Sequence, residues 1–597
     1  MPGNKAGLHI LGKIKKHMKK PTRIADGKGS IARLWGYIST QKRLILMILV
    51  MVIVSTILDL IGPYLIGVVI DDYISLLRLD GLFNILGIML LIYISSIIIT
   101  WIITCLNIDI AQNTVKSIRD ELFNKIQTLS IRFFDMRSDG DLISRFTNDI
   151  DNISTTLSQT MTDLISGVMM LFGMLIMMLT LCWQLALVII LMMPLTIFLT
   201  NIIGKYSRVA FKKNQSVLGN LNTTIEEIIS AQKVVKAYGQ EEKSINQFSA
   251  VNNAYKKAAI KANILGIIMG PIMNMMNNLI YIVIVMAGSL LVTKGYTSTG
   301  IIVVFLSYAR QIAGPINQLA GLYNNIQSAI AGAERVFEIL DEVPEIQDVD
   351  KSIEKSNLDG DVVFNNVTFG YNKEVKILKN INISVRKGES IALVGPTGAG
   401  KTTIINLLTR FYDIDDGDIL IDGQPIKMYE KANLRRNVGI VLQDIYLFSG
   451  TVMDNIRYGR LTATDEEVIE AAKLANAHHF IERLPDGYNT YLSQEGSNFS
   501  QGQRQILAIA RTILAGPDIL ILDEATSSVY TRTEIHIQEA LKKLMHNRTC
   551  FIIAHRLSTI KNADKILVIK DGRIIESGKH NKLLSQKGFY YKLYNTD

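Results

Sequence analysis

The sequence predicts a multi-domain fold: an all-α transmembrane domain of six spans, followed by an α/β nucleotide-binding domain built on a phosphate loop. Three observations predict it. Long apolar runs fill the first half of the 597 residues and stop near residue 325, where a soluble pattern begins. The chain is 48% hydrophobic with a mean hydropathy of +0.24, high for a protein surrounded by water on all sides. And Gly395-Pro396-Thr397-Gly398-Ala399-Gly400-Lys401-Thr402-Thr403 stands between the apolar runs Ser390–Val394 and Ile404–Leu408, in the order buried strand, glycine loop, helix.

Residues 1–43 form a basic N-terminal segment. Residues 1–45 carry eleven Lys and Arg against one acid, Asp26, just before the first apolar run. That asymmetry marks a cytoplasmic flank by the positive-inside rule. A basic tail could also serve nucleic acid, but its place beside a membrane span favours the first reading, and no nucleic-acid partner is expected. The first run starts near residue 44 and is too long for a signal h-region, so it is expected to remain as an anchor. Cys105, Cys182 and Cys550 lie far apart with no metal-like spacing, which predicts neither a disulfide framework nor a zinc site.

Residues 44–325 are the membrane domain. Segments near 44–70, 82–106, 160–181, 184–204, 264–292 and 300–325 are long and apolar enough to span a bilayer. With the N-terminus inside, the two long, charged connections, 107–159 and 205–263, are cytoplasmic. Their apolar spacing of three and four reads as helix continuing out of the membrane. A short crossing helix is expected at Ser138–Arg145 in the first and near Ala237–Glu242 in the second. Inside the spans, Asp59 near a Gly62-Pro63 kink, and Arg310, Gly314, Asn317, Gly321 and Asn324 along one helical face, are polar where polarity is costly. Asp59 and Arg310 suit a polar cavity, whereas Asn274, Asn277 and Asn278 suit helix packing. Residues 326–358 read as a linker, an amphipathic helix followed by an acidic stretch.

Residues 359–597 are the nucleotide-binding domain. In a G-x-x-x-x-G-K-[ST] loop, backbone N–H groups curl around a phosphate at the positive end of a helix. Lys401 would reach the β- and γ-phosphates and Thr402 would place its hydroxyl on Mg²⁺. Gln443 follows the apolar Val438–Leu442, with its amide ready for Mg²⁺ or a water. Ser500-Gln501-Gly502-Gln503 opens a helix pattern, a second anion site. Ile519–Glu524 is a buried strand ending in two carboxylates, expensive to bury without use. Asp523 fits a Mg²⁺ ligand, and Glu524 the base that aligns an attacking water. His555, after the buried strand Cys550–Ala554, is placed to meet a γ-phosphate.

The phosphate loop, Gln443, Ser500–Gln503, Ile519–Glu524 and His555 appear in the order and spacing of an ABC-transporter nucleotide-binding domain. The six spans with two long cytoplasmic excursions resemble the exporter-type half-transporters of the multidrug and lipid class. The resemblance implies that Tyr371 stacks on adenine and that the two crossing helices couple to nucleotide domains. It also implies that two such domains sandwich ATP, each Ser500-type signature facing the other subunit's loop. The expected activity is ATP hydrolysis driving efflux of lipophilic compounds across the plasma membrane, with ATP and Mg²⁺ as cofactors. The expected partners are membrane lipid, a small lipophilic substrate and a second ABC half-transporter.

Two departures stand out. Gln501 occupies a position that is usually Gly, and Tyr530 one that is usually Asp. Gln501, set against the retained Glu524 and His555, favours a heterodimer in which this chain is the catalytically competent half, with a homodimer as the alternative; Tyr530 bears on communication between the two sites. Alternatives on the same scaffold are a peptide or siderophore transporter, an importer, or a nucleotide-gated regulator. The spans exclude a soluble ATPase acting on DNA or the ribosome.

Overall fold

The computed structural model describes residues 27–345, 353, 357–372, 374–442, 445–493, 496, 498–523, 531–553 and 560–596. They divide into two compact units. One holds the chain up to Gln127 together with Asp139–Glu342; the other holds Thr128–Ser138 with the chain from Val343 onward.

In the first unit six helical stretches are long and apolar enough to cross a membrane: Gly29–Ile74, Leu82–Gln127, Asp139–Leu181, Trp183–Ser230, Glu241–Thr293 and Thr299–Leu340. The second is 46 residues long. At about 1.5 Å per residue it is more than twice the roughly 30 Å hydrocarbon core, so the charged connections do continue the spans as helix. The first span runs unbroken through Pro63, and its irregularity comes later, as a π-helical turn over Val69–Ile74.

The first connection holds two short helices: Ile131–Asp135, preceded by extended Ser130, and Asp139–Ser144, which falls where the sequence break suggested one and leads through a π-helical turn into the third span. Asp139 and Asp141 sit in the first turn of that helix, where negative charge meets the positive end of the helix dipole. A run of Ser, Asp and Gly therefore marks a helix start. In the second connection the short helix is Gln232–Ala237, followed by a turn with Gly239 at φ +58° before Glu241–Ile267.

Two carboxylates fasten this unit. Asp149, almost wholly buried, takes the Arg335 guanidinium through Nε at 2.9 Å and through Nη2, and Arg145 approaches at 3.6 Å. Asp71, in the π-helical turn, accepts from the Gly300 backbone N–H at 2.7 Å and from the Ser298 hydroxyl at 2.5 Å. It thereby caps the start of the sixth span with a charge-assisted pair. Asp71→Ala is expected to cost on the order of 2 kcal/mol, the scale of a hydrogen bond to a charged group. The check is the thermal unfolding midpoint of the purified chain in detergent, which an idle Asp71 would leave unmoved.

The second unit is built on three sheets. Strands β1 (Val362–Phe369), β2 (Leu378–Val385), β4 (Asp416–Ile421) and β5 (Gln424–Pro425) form an antiparallel sheet in the order β2-β1-β4-β5. Strands β3 (Ser390–Val394), β6 (Val438–Val441), β9 (Ile519–Asp523), β10 (Thr549–Ile553), β11 (Lys565–Lys570) and β12 (Arg573–Gly578) form the central sheet, ordered β12-β11-β3-β10-β9-β6. It is parallel except for the β11–β12 pair. β7 (Gly450–Thr451) and β8 (Tyr491–Leu492) make a small separate pair. β3 and β10 are buried along their whole length, as strands covered on both faces should be. Burial on β10 pushes the Cys550 thiol up to about 12, so it behaves as an inert apolar filler.

Segment Thr128–Ser138 is held in this unit by specific contacts. The Tyr412 hydroxyl donates to Asp135 Oδ2 at 2.5 Å, and the Glu345 backbone N–H donates to the Thr128 carbonyl at 2.8 Å. Phe133 is buried, with the Arg137 guanidinium 4.4 Å above its ring. Glu345 in turn pairs with Arg435 at 2.7 Å and Lys431 at 3.3 Å. Burial acts to raise the Glu345 pKa, but these two cations outweigh it and hold the carboxyl below its usual value.

Candidate nucleotide site

The site grows from the end of β3. After Val394 the chain turns through Gly395, where a Cβ would stand 2.1 Å from the Ile569 carbonyl oxygen. At Gly400 the backbone is left-handed, φ +106°, with Leu378 Cδ2 only 2.6 Å from the place a Cβ would take. Side chains are therefore excluded at both ends of the loop, for steric reasons that only glycine meets. Between them Pro396, Thr397 and Gly398 are exposed while Ala399 is buried. The loop's open side thus faces outward over the N-terminus of the helix Lys401–Leu408.

Lys401 opens that helix and is buried, its Nζ donating to the carbonyls of Gly395 at 2.7 Å and Pro396 at 3.2 Å. An ammonium folded into a loop of backbone N–H groups at a helix N-terminus makes a cradle for a polyanion. Thr402 beside it is exposed, and Thr403 is buried.

Tyr371, just past β1, is fixed against the loop helix. Its hydroxyl lies 3.3 Å from Thr403 Oγ1 and accepts from Asn406 Nδ2 at 3.1 Å. Its ring meets Phe369 and Tyr412 edge-to-face at 5.2 and 4.9 Å. Sequence reading missed Asn406 and Tyr412; both lie in the stretch just after the loop, with no motif to mark them.

Asp523 ends β9. In register it is level with Leu393 of β3, since Ile553 of β10 pairs with both. With β10 between them, Asp523 and β3 are two strand spacings apart, roughly 10 Å. Gln443, Glu524 and His555 lie outside the described residues, as does Tyr530. The strands they follow, β6, β9 and β10, are adjacent and parallel. Crevices outside the carboxyl ends of such strands are where open α/β sheets bind ligands.

The Ser500 segment opens the helix Gln501–Ala515 with a complete capping box. Gln503 N–H donates to Ser500 Oγ at 3.3 Å, and Ser500 N–H donates to Gln503 Oε1 at 2.9 Å. Gln501 is exposed and Gly502 buried. Further along this helix Arg511, not singled out from sequence, donates to the carbonyls of Asn455 at 2.9 Å and Tyr446 at 3.1 Å. It ties the signature helix to the segment that follows Gln443.

The chain matches two family descriptions: "ABC transporter transmembrane region" over residues 45–316 and "ABC transporter" over residues 378–527. It is 46% identical over 586 residues to the ABC transporter ATP-binding protein YfiC of Bacillus subtilis, covering 98% of this chain and 96% of that protein. It is 41% identical to the fatty acid ABC transporter ATP-binding/permease protein of Mycobacterium bovis, over 85% of this chain and 80% of the relative. It is 40% identical to the ATP-dependent lipid A-core flippase of Syntrophus aciditrophicus, over 81% and 80%. Among solved structures, a bacterial Atm1-family ABC exporter with ATP bound aligns with a TM-score of 0.73 at 29% identity, covering 93% of this chain and 98% of that one. With six spans, an ATP-binding loop and both family regions in one polypeptide, the chain belongs to the ABC transporters: it is an ATP-hydrolysing half-transporter of exporter fold, a multi-pass membrane protein whose nucleotide-binding domain lies in the cytoplasm.

Proposed function

We propose that this chain is the hydrolytically competent half of a heterodimeric exporter that moves lipophilic compounds, lipid or drug, outward at the expense of MgATP. The observation that carries the reading is the loop at the end of β3, where Lys401 is folded into a glycine-lined anion cradle, β3 itself lying in register with Asp523 of β9 across β10. Lys401 and the loop amides hold the β- and γ-phosphates, and Tyr371 offers its ring to the adenine. Mg²⁺ typically keeps several waters and needs only one or two carboxylates beside substrate phosphates. The exposed Thr402 hydroxyl and Asp523, with Gln443, would hold the ion, which would supply neutralisation of phosphate charge there. Glu524 aligns and deprotonates the attacking water, and His555 steadies the γ-phosphate. Ser500, Gln501, Gly502 and Gln503 face the nucleotide of the partner.

The names of two relatives, one a fatty acid transporter and one a lipid A-core flippase, support an amphiphilic cargo. Polar points for it inside the spans are few. Arg310 lines a cavity of about 500 Å³ with Tyr281, Met286 and Ser307. Asp59, exposed on the first span, accepts from Ser96 Oγ at 2.6 Å. Gly314 and Gly321 have open space where a Cβ would be, in keeping with a face turned from its own unit.

Heterodimer assembly is favoured by Gln501, an exposed amide side chain where close approach to a partner's phosphate loop calls for Gly. One fast site would then combine Lys401, Asp523, Glu524 and His555 with an intact signature from the partner. The other would hold ATP slowly against Ser500 and Gly502 of this chain. Expressed alone, the chain is expected to show weak ATPase activity that rises at least tenfold on coexpression with its partner half-transporter. A homodimer with full substrate-stimulated hydrolysis would overturn the heterodimer while leaving the ATPase assignment intact.

A further inference from the structure

A second cavity, of about 410 Å³, lies within the membrane unit and outside the nucleotide site. It is enclosed by the N-terminal helix Gly27–Ile38, the turn Ser39–Gln41 and the first three spans. Its walls are apolar: Ile38, Ile48 and Ile110 are buried there, and Trp35 lines the opening half-exposed. Polar groups are few. On the inner side Asn107 Nδ2 donates to Thr162 Oγ1, so those two largely satisfy each other. At the rim the Ser39 hydroxyl donates to the Gly36 carbonyl at 2.9 Å, which leaves Lys42 as the charge that faces the space. Among the described residues no carboxylate pairs with Lys42.

The basic flank puts this end of the first span at the cytoplasmic face. An aromatic ring and a lysine at one rim match a membrane interface, the ring at headgroup level and the ammonium reaching outward. Inside a bilayer an apolar wall gains nothing by taking up one more alkyl chain, because lipid tails surround it already. Selection must come from the charge. We infer that this cavity holds one acyl chain of an anionic phospholipid from the cytoplasmic leaflet, with its phosphate on Lys42. Charge complementarity favours this occupant over a zwitterionic lipid: Lys42 and Arg43 adjoin a segment in which residues 1–45 hold eleven basic side chains and one acid. The volume is within the range of ligand pockets, roughly 300–1,000 Å³.

The chain carries three tryptophans, Trp35, Trp101 and Trp183. Replacing the last two by Phe leaves Trp35 as the reporter at the cavity mouth. The full chain is placed in nanodiscs of phosphatidylcholine carrying an equal small fraction of brominated phosphatidylglycerol, brominated phosphatidylcholine or brominated free fatty acid. Brominated phosphatidylglycerol is expected to quench Trp35 at least twice as strongly as either alternative. Lys42→Gln should erase that preference, and Ile165→Phe, which fills the cavity without changing charge, should reduce quenching by every lipid. If Lys42→Gln does not fold, raising the salt on the unmodified lysine discriminates equally well, because screening should shrink the preference. Equal quenching by the two phospholipids, stronger quenching by the fatty acid, or a preference indifferent to both Lys42 and salt overturns the proposal.

Discussion

Glu524→Gln is expected to abolish steady-state ATP hydrolysis in the assembled transporter while ATP still binds. The substitution keeps the size of the side chain and its capacity to accept a hydrogen bond, but removes its ability to take a proton. Loss of a positioned general base typically costs about 10²–10⁴-fold in rate. Asp523, the strand residue before it and the proposed metal ligand, is unchanged, so equilibrium binding of a fluorescent ATP analogue should stay within a few-fold of the unmodified chain. Near-normal turnover by the variant would show that another group activates the water. The split between binding and turnover separates this outcome from a folding defect, which would reduce both together.

Lys401→Ala should fail in the opposite order. Its ammonium is already buried and directed into the loop, bonded to the Gly395 and Pro396 carbonyls. Phosphate oxygens are stronger acceptors than those carbonyls, and a charge-assisted hydrogen bond is worth about 1.5–3 kcal/mol. ATP affinity is therefore expected to fall by roughly 10- to 150-fold, with hydrolysis lost in consequence. Titration with ATP in the absence of turnover, at fixed Mg²⁺, gives the number directly. A variant that binds ATP as tightly as the parent would mean that the loop amides alone hold the nucleotide.

Most of the architecture was legible because its signals are local. A bilayer span needs a continuous apolar run, and a phosphate loop needs its glycines and lysine at fixed offsets; each can be read in one window of sequence. The long cytoplasmic helices were legible for the same reason, through apolar spacing of three and four. What escaped depends on partners far away in the chain. Asp71 was passed over because Ser298 and Gly300, which it holds, stand more than two hundred residues later. Arg511 and Tyr412 are likewise explained only by what they touch. The Ser-Asp-Gly run at 138–141 announces the helix Asp139–Ser144, whereas Ile131–Asp135 before it carries no such signal and is tied down by the burial of Phe133 and the bond to Asp135.

The grouping of Thr128–Ser138 with the soluble unit also governs how the protein can be taken apart. The polypeptide passes between its two bodies three times, twice at the ends of this short insert and once after Glu342, although the two matched family regions, 45–316 and 378–527, suggest a single junction. A fragment begun at Val343 would leave the insert behind, stripping Tyr412 of its acceptor and Glu345 of its backbone partner, and uncovering whatever Phe133 shields. Domain dissection at the obvious border would thus yield a body with an unhealed scar. Grafting residues 128–138 back through a flexible tether is the dissection that respects the fold.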